Sequence, residues 1–379
     1  MIGRDPLRCI LPPYLLRSIH ARSSAARQQD ILTSIVGSAR LRAHRRAMAL
    51  GPGGFAAAGE LLGKRRRVFT AENGTNLPGK LVREEGDPAV DDPAVNEAFD
   101  GAGHTYDLFR EAYERDSLDG AGMALDSTVH YGRAYDNAFW DGKQMVYGDG
   151  DGELFNRFTV ALEVIGHEFT HAVVQFTCNL GDSGQSGALG ESFSDVFGSL
   201  VKQRRNGQPA NEADWLVGEG LFTSRVNGAA LRSLKEPGNA YDDPVLGKDP
   251  QPAHMRDYVT TLEDNGGVHI NSGIPNHAFF LAAVAMGGLA WERAGRIWYV
   301  ALRDHMRSNT DFQAAAELTF RVAGDLYGQS SAEQEAVQYA WESVGLKIDV
   351  SPQSLPTPSG CLAAPLTAFR GLLGRKAAG

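Results

Sequence analysis

His167, Glu168 and His171 stand in the run His167-Glu168-Phe169-Thr170-His171, inside a stretch whose apolar spacing predicts a helix. On a helix, two imidazoles four residues apart project from one face and can grip one tetrahedral metal, and the glutamate between them stays free for proton transfer. That arrangement suits a zinc hydrolase. A catalytic zinc takes three protein ligands and keeps a fourth position for water, so another ligand has to come from elsewhere in the chain. A second helix-patterned segment has Leu189, Phe193, Val196, Phe197 and Leu200 on its apolar side, with Glu191 and Asp195 four apart on one face. Glu191 is the candidate third ligand. Asp195 suits a carboxylate that accepts the free N–H of a ligating histidine, fixing its tautomer and raising its basicity.

The spacing of H-E-F-T-H to Gly187-Ala188-Leu189-Gly190-Glu191-Ser192-Phe193-Ser194-Asp195-Val196-Phe197-Gly198 resembles that of the thermolysin-like zinc endopeptidases. Two further blocks, Asn137 to Gly150 and Asp264 to Gly273, are similar to blocks of that family. The di-proline stretch Cys9-Ile10-Leu11-Pro12-Pro13-Tyr14-Leu15-Leu16 is similar to the short propeptides of its protealysin group.

The resemblance implies an α+β fold of two lobes, β-rich then mainly helical, with zinc in the cleft between them. It implies zinc on His167, His171 and Glu191, with Glu168 as the base for a zinc-activated water. It makes His269, oriented by Asp264, a donor to the oxyanion, and Arg232 a donor to a substrate carbonyl. Asn137 and the backbone of Ala138 would anchor the peptide as an extended strand. Phe155, Phe158, Val164, Val217 and Leu231 align with the pocket for the residue after the scissile bond; all are apolar, so cleavage before bulky hydrophobic residues is expected.

Three positions depart from the family pattern. Asp182 stands where a tyrosine usually donates to the oxyanion, and an ionised carboxylate only accepts hydrogen bonds. Loss of one such donor costs on the order of 10²–10³ in rate. Gly190 replaces an asparagine just before the ligand, which is expected to loosen a helix start. Glu163, Asp214 and Glu219 match acids of the family's double calcium site, but Lys202 and Leu216 replace others, so a full two-calcium site is not expected and one weak ion is the most the pattern supports. These departures leave two readings: a zinc endopeptidase made as a proenzyme, or a weakly active or inactive zinc-binding homologue acting through protein binding. Retention of all six of His167, Glu168, His171, Glu191, His269 and Arg232 favours the first.

The 379 residues, 42% hydrophobic and 22% charged, suffice for two packed lobes and exclude a fibrous or disordered class. Charge is uneven: thirteen basic residues against three acidic ones up to Arg67 give +10, leaving −19 on the remainder of a chain whose total is −9. A basic leader that docks on its own acidic body as an intramolecular inhibitor explains this better than nucleic-acid binding. The expected divisions are residues 1–60, prosegment and linker; 61–160, the β-rich lobe; 161–348, the helical lobe; and 349–379, a Pro/Ser-rich tail. Maturation is expected between residues 48 and 67, around the Gly/Ala-rich Leu50 to Gly59.

Arg8, Pro12, Pro13 and Arg17 interrupt every apolar run near the N-terminus, so neither a signal-peptide core nor a membrane span is expected. The protein would then be cytoplasmic, or exported by a route without such a signal. A monomer is expected. Cys9, Cys178 and Cys361 are too few for a disulfide framework. A Cys9 thiolate on the open zinc position is one conceivable latch, and Cys178 reads as a small buried residue. Strands are expected at Arg67–Thr70, Gly79–Arg83, Val129–Tyr131 and Gln144–Tyr147. Helices are expected at Thr105–Arg115 and, at the end of the body, Val337–Leu346.

Overall fold

The computed structural model describes residues 9–23, 27–28, 31–32, 34–36 and 63–349. The basic run at 40–46, the linker at 50–59, the tail beyond 349 and Cys361 lie outside them.

Five short strands make the sheet of the first lobe: β1 (Arg66–Thr70), β2 (Lys80–Glu84), β3 (Leu125–Val129), β4 (Ala138–Trp140) and β5 (Met145–Tyr147). Their order is β2-β1-β3-β5-β4, with β1, β3 and β5 parallel and both outer strands antiparallel to their neighbours. β4 is therefore an edge, and an edge strand offers unpaired backbone groups to any extended chain beside it.

The helices are α1 (Pro13–Arg22), α2 (Pro93–Asp107), α3 (Leu162–Gln175), α4 (Gly184–Asn206), α5 (Asp264–Asn271), α6 (Gly273–Met286), α7 (Ala294–Val300), α8 (Phe312–Tyr327) and α9 (Ala332–Ser343). α2 begins well before the expected Thr105. Asp92 caps it by accepting from the Ala94 N–H, and Pro93 occupies its first turn, where no N–H is needed. A π-helical turn, Leu108–Ala112, follows it. β3 ends at Val129 because His130 turns into the left-handed region at φ 55°. The closing helix is α9; its Trp341 stacks on Trp298 of α7 with ring centroids 6.1 Å apart.

α3 and α4 form the centre of the molecule, and two glycines set their approach. A Cβ on Gly166 would lie 2.9 Å from the Gly198 Cα, and one on Gly198 would lie 2.4 Å from the Glu163 carbonyl oxygen. No side chain fits between backbones at that distance, so glycine on both helices is what lets the H-E-x-x-H face and the Glu191 face meet. Gly190 lies inside α4, not at its start, and its carbonyl accepts from the Ser194 hydroxyl one turn later at 3.0 Å.

His130 joins the start of α2 to the loop after β5. Its Nε2 lies 2.8 Å from Asp92 Oδ2 and its Nδ1 lies 2.9 Å from both Asp149 oxygens. The Asp149 hydrogen bond, aided by Asp92 and opposed by partial burial, pushes the imidazole up to about 9. An unfolded histidine titrates near 6.5, so this contribution is fully present below about pH 6.5 and is lost as pH rises through 9. Denaturant unfolding should show about 1 kcal/mol lost across that window, after discounting for solvent screening, and His130→Gln should flatten the profile. An unchanged slope in the variant would refute the assignment.

Candidate metal and peptide site

His167 and His171 project from buried α3, and Glu191 from α4. Glu191 Oε2 stands 3.5 Å from His167 Nε2 and 3.5 Å from His171 Nε2, and the ligand atoms of all three lie within 4.8 Å of one another. His167 Nε2 and Glu191 Oε2 are buried without a hydrogen-bond partner. Unsatisfied polar atoms are costly inside a protein, and a cluster of two imidazoles and a carboxylate converging at this spacing fits a tetrahedral cation such as zinc.

The outer nitrogens are engaged. His167 Nδ1 meets Asp195 Oδ1 at 2.8 Å, and His171 Nδ1 meets Ser194 Oγ at 2.9 Å. Because the Ser194 hydroxyl donates to Gly190, its oxygen is left to accept from His171 Nδ1, which turns Nε2 toward the cluster. Asp195 is fully buried and saturated, accepting from Arg232 Nε and Nη2 and from Asn276 Nδ2 as well. Burial alone would raise its carboxyl; Arg232 and His167 outweigh burial and hold it far below the usual range.

Glu168 points to the sheet side, where Oε2 accepts from the Trp140 N–H at 3.2 Å and Oε1 has no partner. Burial, with Glu191 adding to it, pushes the carboxyl up to about 8 despite His167. His269 comes from α5. Asp264 begins that segment in four successive left-handed residues, two of them Gly266 and Gly267. The turn folds its carboxylate back onto the His269 N–H at 2.8 Å and Nδ1 at 2.7 Å. Burial would lower His269, but Asp264 and Glu191 carry it up to about 9, so both ring nitrogens act as donors.

Asn137, Ala138, Arg232 and His269 are brought together, and the leader lies on them. Cys9 pairs antiparallel with Phe139 of β4. His269 Nε2 donates to the Cys9 carbonyl at 3.0 Å, the Ile10 N–H to the Ala138 carbonyl at 3.2 Å, and Arg232 Nη1 to the Ile10 carbonyl at 3.1 Å. The Leu11 N–H donates to Asn137 Oδ1 at 3.0 Å, and Asn137 Nδ2 donates to the Leu11 carbonyl at 3.2 Å. Ile10 is fully buried in the same apolar cluster as Phe155, Phe158, Val164, Val217 and Leu231. α1 then docks through Ser18 on the Leu246 carbonyl, and Arg27 pairs with Asp151 and Glu153 of the acidic body.

The Cys9 thiol is not at the metal cluster. It packs among Tyr131, Tyr135, Phe139 and Val146, and Sγ donates to the Leu11 carbonyl at 3.2 Å; pairing with β4 turns the side chain away from the site and leaves the carbonyl facing it. Cys178 is half-buried, not buried. Asp182 lies in the loop before α4. A Cβ on Gly187 would meet both the Asp182 carbonyl carbon at 2.9 Å and Val268, the neighbour of His269, at 2.6 Å.

Glu163, Asp214 and Glu219 also cluster, around an ammonium. Lys202 Nζ lies 2.8 Å from Asp214, 2.7 Å from Glu219 and 3.7 Å from Glu163. Glu163 is otherwise held by the Gly218 and Glu219 N–H groups.

Ser194 and Asn276 were not singled out by sequence reasoning. Ser194 had a signal, since Glu191, Ser194 and Asp195 form an i, i+3, i+4 stripe on one helix face; Asn276, 81 residues beyond Asp195, had none.

The comparisons agree with this geometry. The family model described as thermolysin metallopeptidase, catalytic domain, matches residues 58–175, and that described as thermolysin metallopeptidase, alpha-helical domain, matches residues 178–346. The extracellular metalloprotease of Pectobacterium carotovorum subsp. carotovorum is 47% identical over 346 residues, 90% of this chain and 97% of its own length. Protease PrtS of Photorhabdus sp. (strain Az29) is 44% identical over 353 residues, 92% of this chain and 94% of its own. The solved precursor of protealysin, a metalloproteinase from Serratia proteamaculans, is 49% identical with a TM-score of 0.81, covering 89% of this chain and 99% of that one. With the helical cluster, the edge strand and both halves of the body accounted for, the chain is a zinc metallopeptidase that belongs to the thermolysin-like family, close to protealysin.

Proposed function

We propose that this protein is an endopeptidase made as a proenzyme, with residues 1–60 as leader and linker, lobes at 61–160 and 161–348, and a tail at 349–379. His167, His171 and Glu191 would hold the zinc, which would supply an acidified water and polarise a peptide carbonyl. Glu168, anchored through one oxygen by Trp140, takes a proton with the other and returns it to the leaving amine. His269, held by Asp264, donates to the oxygen that gains charge. Asp195 orients His167 and aims Arg232, whose remaining nitrogen meets the carbonyl of the residue after the cut. Asn137 and Ala138 bind the substrate main chain as an added strand. Lys202 takes the place of a cation among Glu163, Asp214 and Glu219. The name of the Pectobacterium relative supports action outside the cell; among the described residues no helix is long and apolar enough to cross a membrane.

The observation that carries the proenzyme reading is the leader at Cys9 to Leu11, which engages every group assigned to a peptide substrate. Buried Ile10 supports a preference for bulky hydrophobic residues after the cut. The test compares zinc-loaded full chain with Ile10→Asp. A carboxylate in the apolar pocket costs several kcal/mol, so the variant should release the leader and cut a peptide with Leu after the scissile bond at least about tenfold faster. It should prefer Leu over Asp there by about 10- to 200-fold. Equal rates from the two proteins would remove the latency reading, and preference for Asp the specificity reading.

A further inference from the structure

The leader's contacts fix its register as well as its presence. Among its described residues, Cys9 is the one whose carbonyl meets His269 Nε2, and that nitrogen lies 3.4 Å from Glu191 Oε2, the atom shared by both histidines. Cys9 pairs with Phe139, and the next residue along β4, Trp140, binds Glu168. The carbonyl of Cys9 thus meets His269 beside the strand whose Trp140 N–H holds Glu168. On the far side of the peptide bond, Ile10 gives its N–H to Ala138 and its carbonyl to Arg232, and its side chain is fully buried. This is the polarity that the proposed roles of His269 and Arg232 require of a peptide to be cut.

We propose that the Cys9–Ile10 peptide bond is a cleavage site at which this enzyme cuts its own leader. The inference rests on the proenzyme reading and adds the bond. Water adds across it: the carbon of Cys9 gains an oxygen and becomes a carboxylate, the C–N bond breaks, and the nitrogen of Ile10 takes a proton and leaves as an amine. The cut is silent at first. Leu11 keeps both bonds to Asn137, Arg232 keeps the Ile10 carbonyl, and α1 stays docked through Ser18, so the segment that begins at Ile10 still covers the groove as a bound product. Latency ends only when α1 leaves.

The full chain is prepared free of metal, then zinc is added and intact mass and N-terminal sequence are followed. The expected result is a species beginning at Ile10 and a released peptide ending at Cys9, absent in Glu168→Gln. The rate per molecule should be unchanged over about a hundredfold dilution, because the bond is already held in the groove. A zinc-loaded chain that cuts an added peptide yet keeps its Cys9–Ile10 bond overturns the proposal, as does a rate that rises with concentration.

A second readout needs no metal. Cys9 is 1% exposed, so alkylation mapped to Cys9 in metal-free full chain should be at least about tenfold slower than in Ile10→Asp. Equal labelling in the two would show that the leader is not docked and would overturn the proenzyme reading together with the cut. A protected Cys9 with an intact bond after zinc would overturn the cut alone.

Discussion

Glu168→Gln should lower peptide hydrolysis by about 10²- to 10⁴-fold while zinc content stays at one ion per chain, because a positioned general base contributes on that order. The amide keeps the shape of the side chain and can still accept from the Trp140 N–H, so the helix and the cluster of His167, His171 and Glu191 are undisturbed. What it loses is the capacity to take a proton at the oxygen that now has no partner. Elemental analysis and peptide turnover on the same preparation separate the two effects. Activity within a few-fold of the parent would mean that another group serves as base, and loss of zinc would mean that Glu168 helps hold the metal.

Asp195→Ala should be among the most damaging single changes to stability. Asp195 neutralises the buried Arg232, orients His167 and accepts from Asn276. Its removal strands a guanidinium in the interior, and breaking a buried pair in this way costs about 3–5 kcal/mol. The same change releases the outer nitrogen of His167, for which a loss of about 10- to 100-fold in zinc affinity is typical. Denaturant unfolding of the metal-free protein reads the first effect and chelator competition the second. Asp195→Asn, which preserves shape and an acceptor oxygen, should recover part of the metal affinity. If Asp195→Ala unfolded with the parent's midpoint, the pair with Arg232 would contribute nothing and the assignment would be wrong.

Much of the site could be read from spacing. The four-residue interval puts His167 and His171 on one helix face, and the same interval puts Glu191 and Asp195 on another. The partners of those faces were less visible, because they depend on how elements meet and not on local period. Gly166 and Gly198 carry no pattern, yet the approach of the two helices depends on them. The start of α2 was missed because Asp91-Asp92-Pro93 reads as a loop until Asp92 is seen to cap and Pro93 to begin a helix. Cys9 drew attention for its thiol, whereas strand pairing presents its carbonyl. Lys202 was legible for an electrostatic reason, since an ammonium among aligned acids can do the work of a cation.

The outer edge of β4, on which the leader pairs, has a consequence for the proposed peptidase. Its groups bind a visiting chain by the main-chain donors and acceptors of consecutive residues, as they do at Ile10 and Leu11. In a folded protein those donors and acceptors are already spent on the protein's own helices and sheets. On the proposed function, a segment must surrender its own secondary structure before this edge takes it, so cleavage is expected to follow local unfolding of the substrate. Tightly folded proteins are then expected to be cut slowly, and frayed ends and loose loops first.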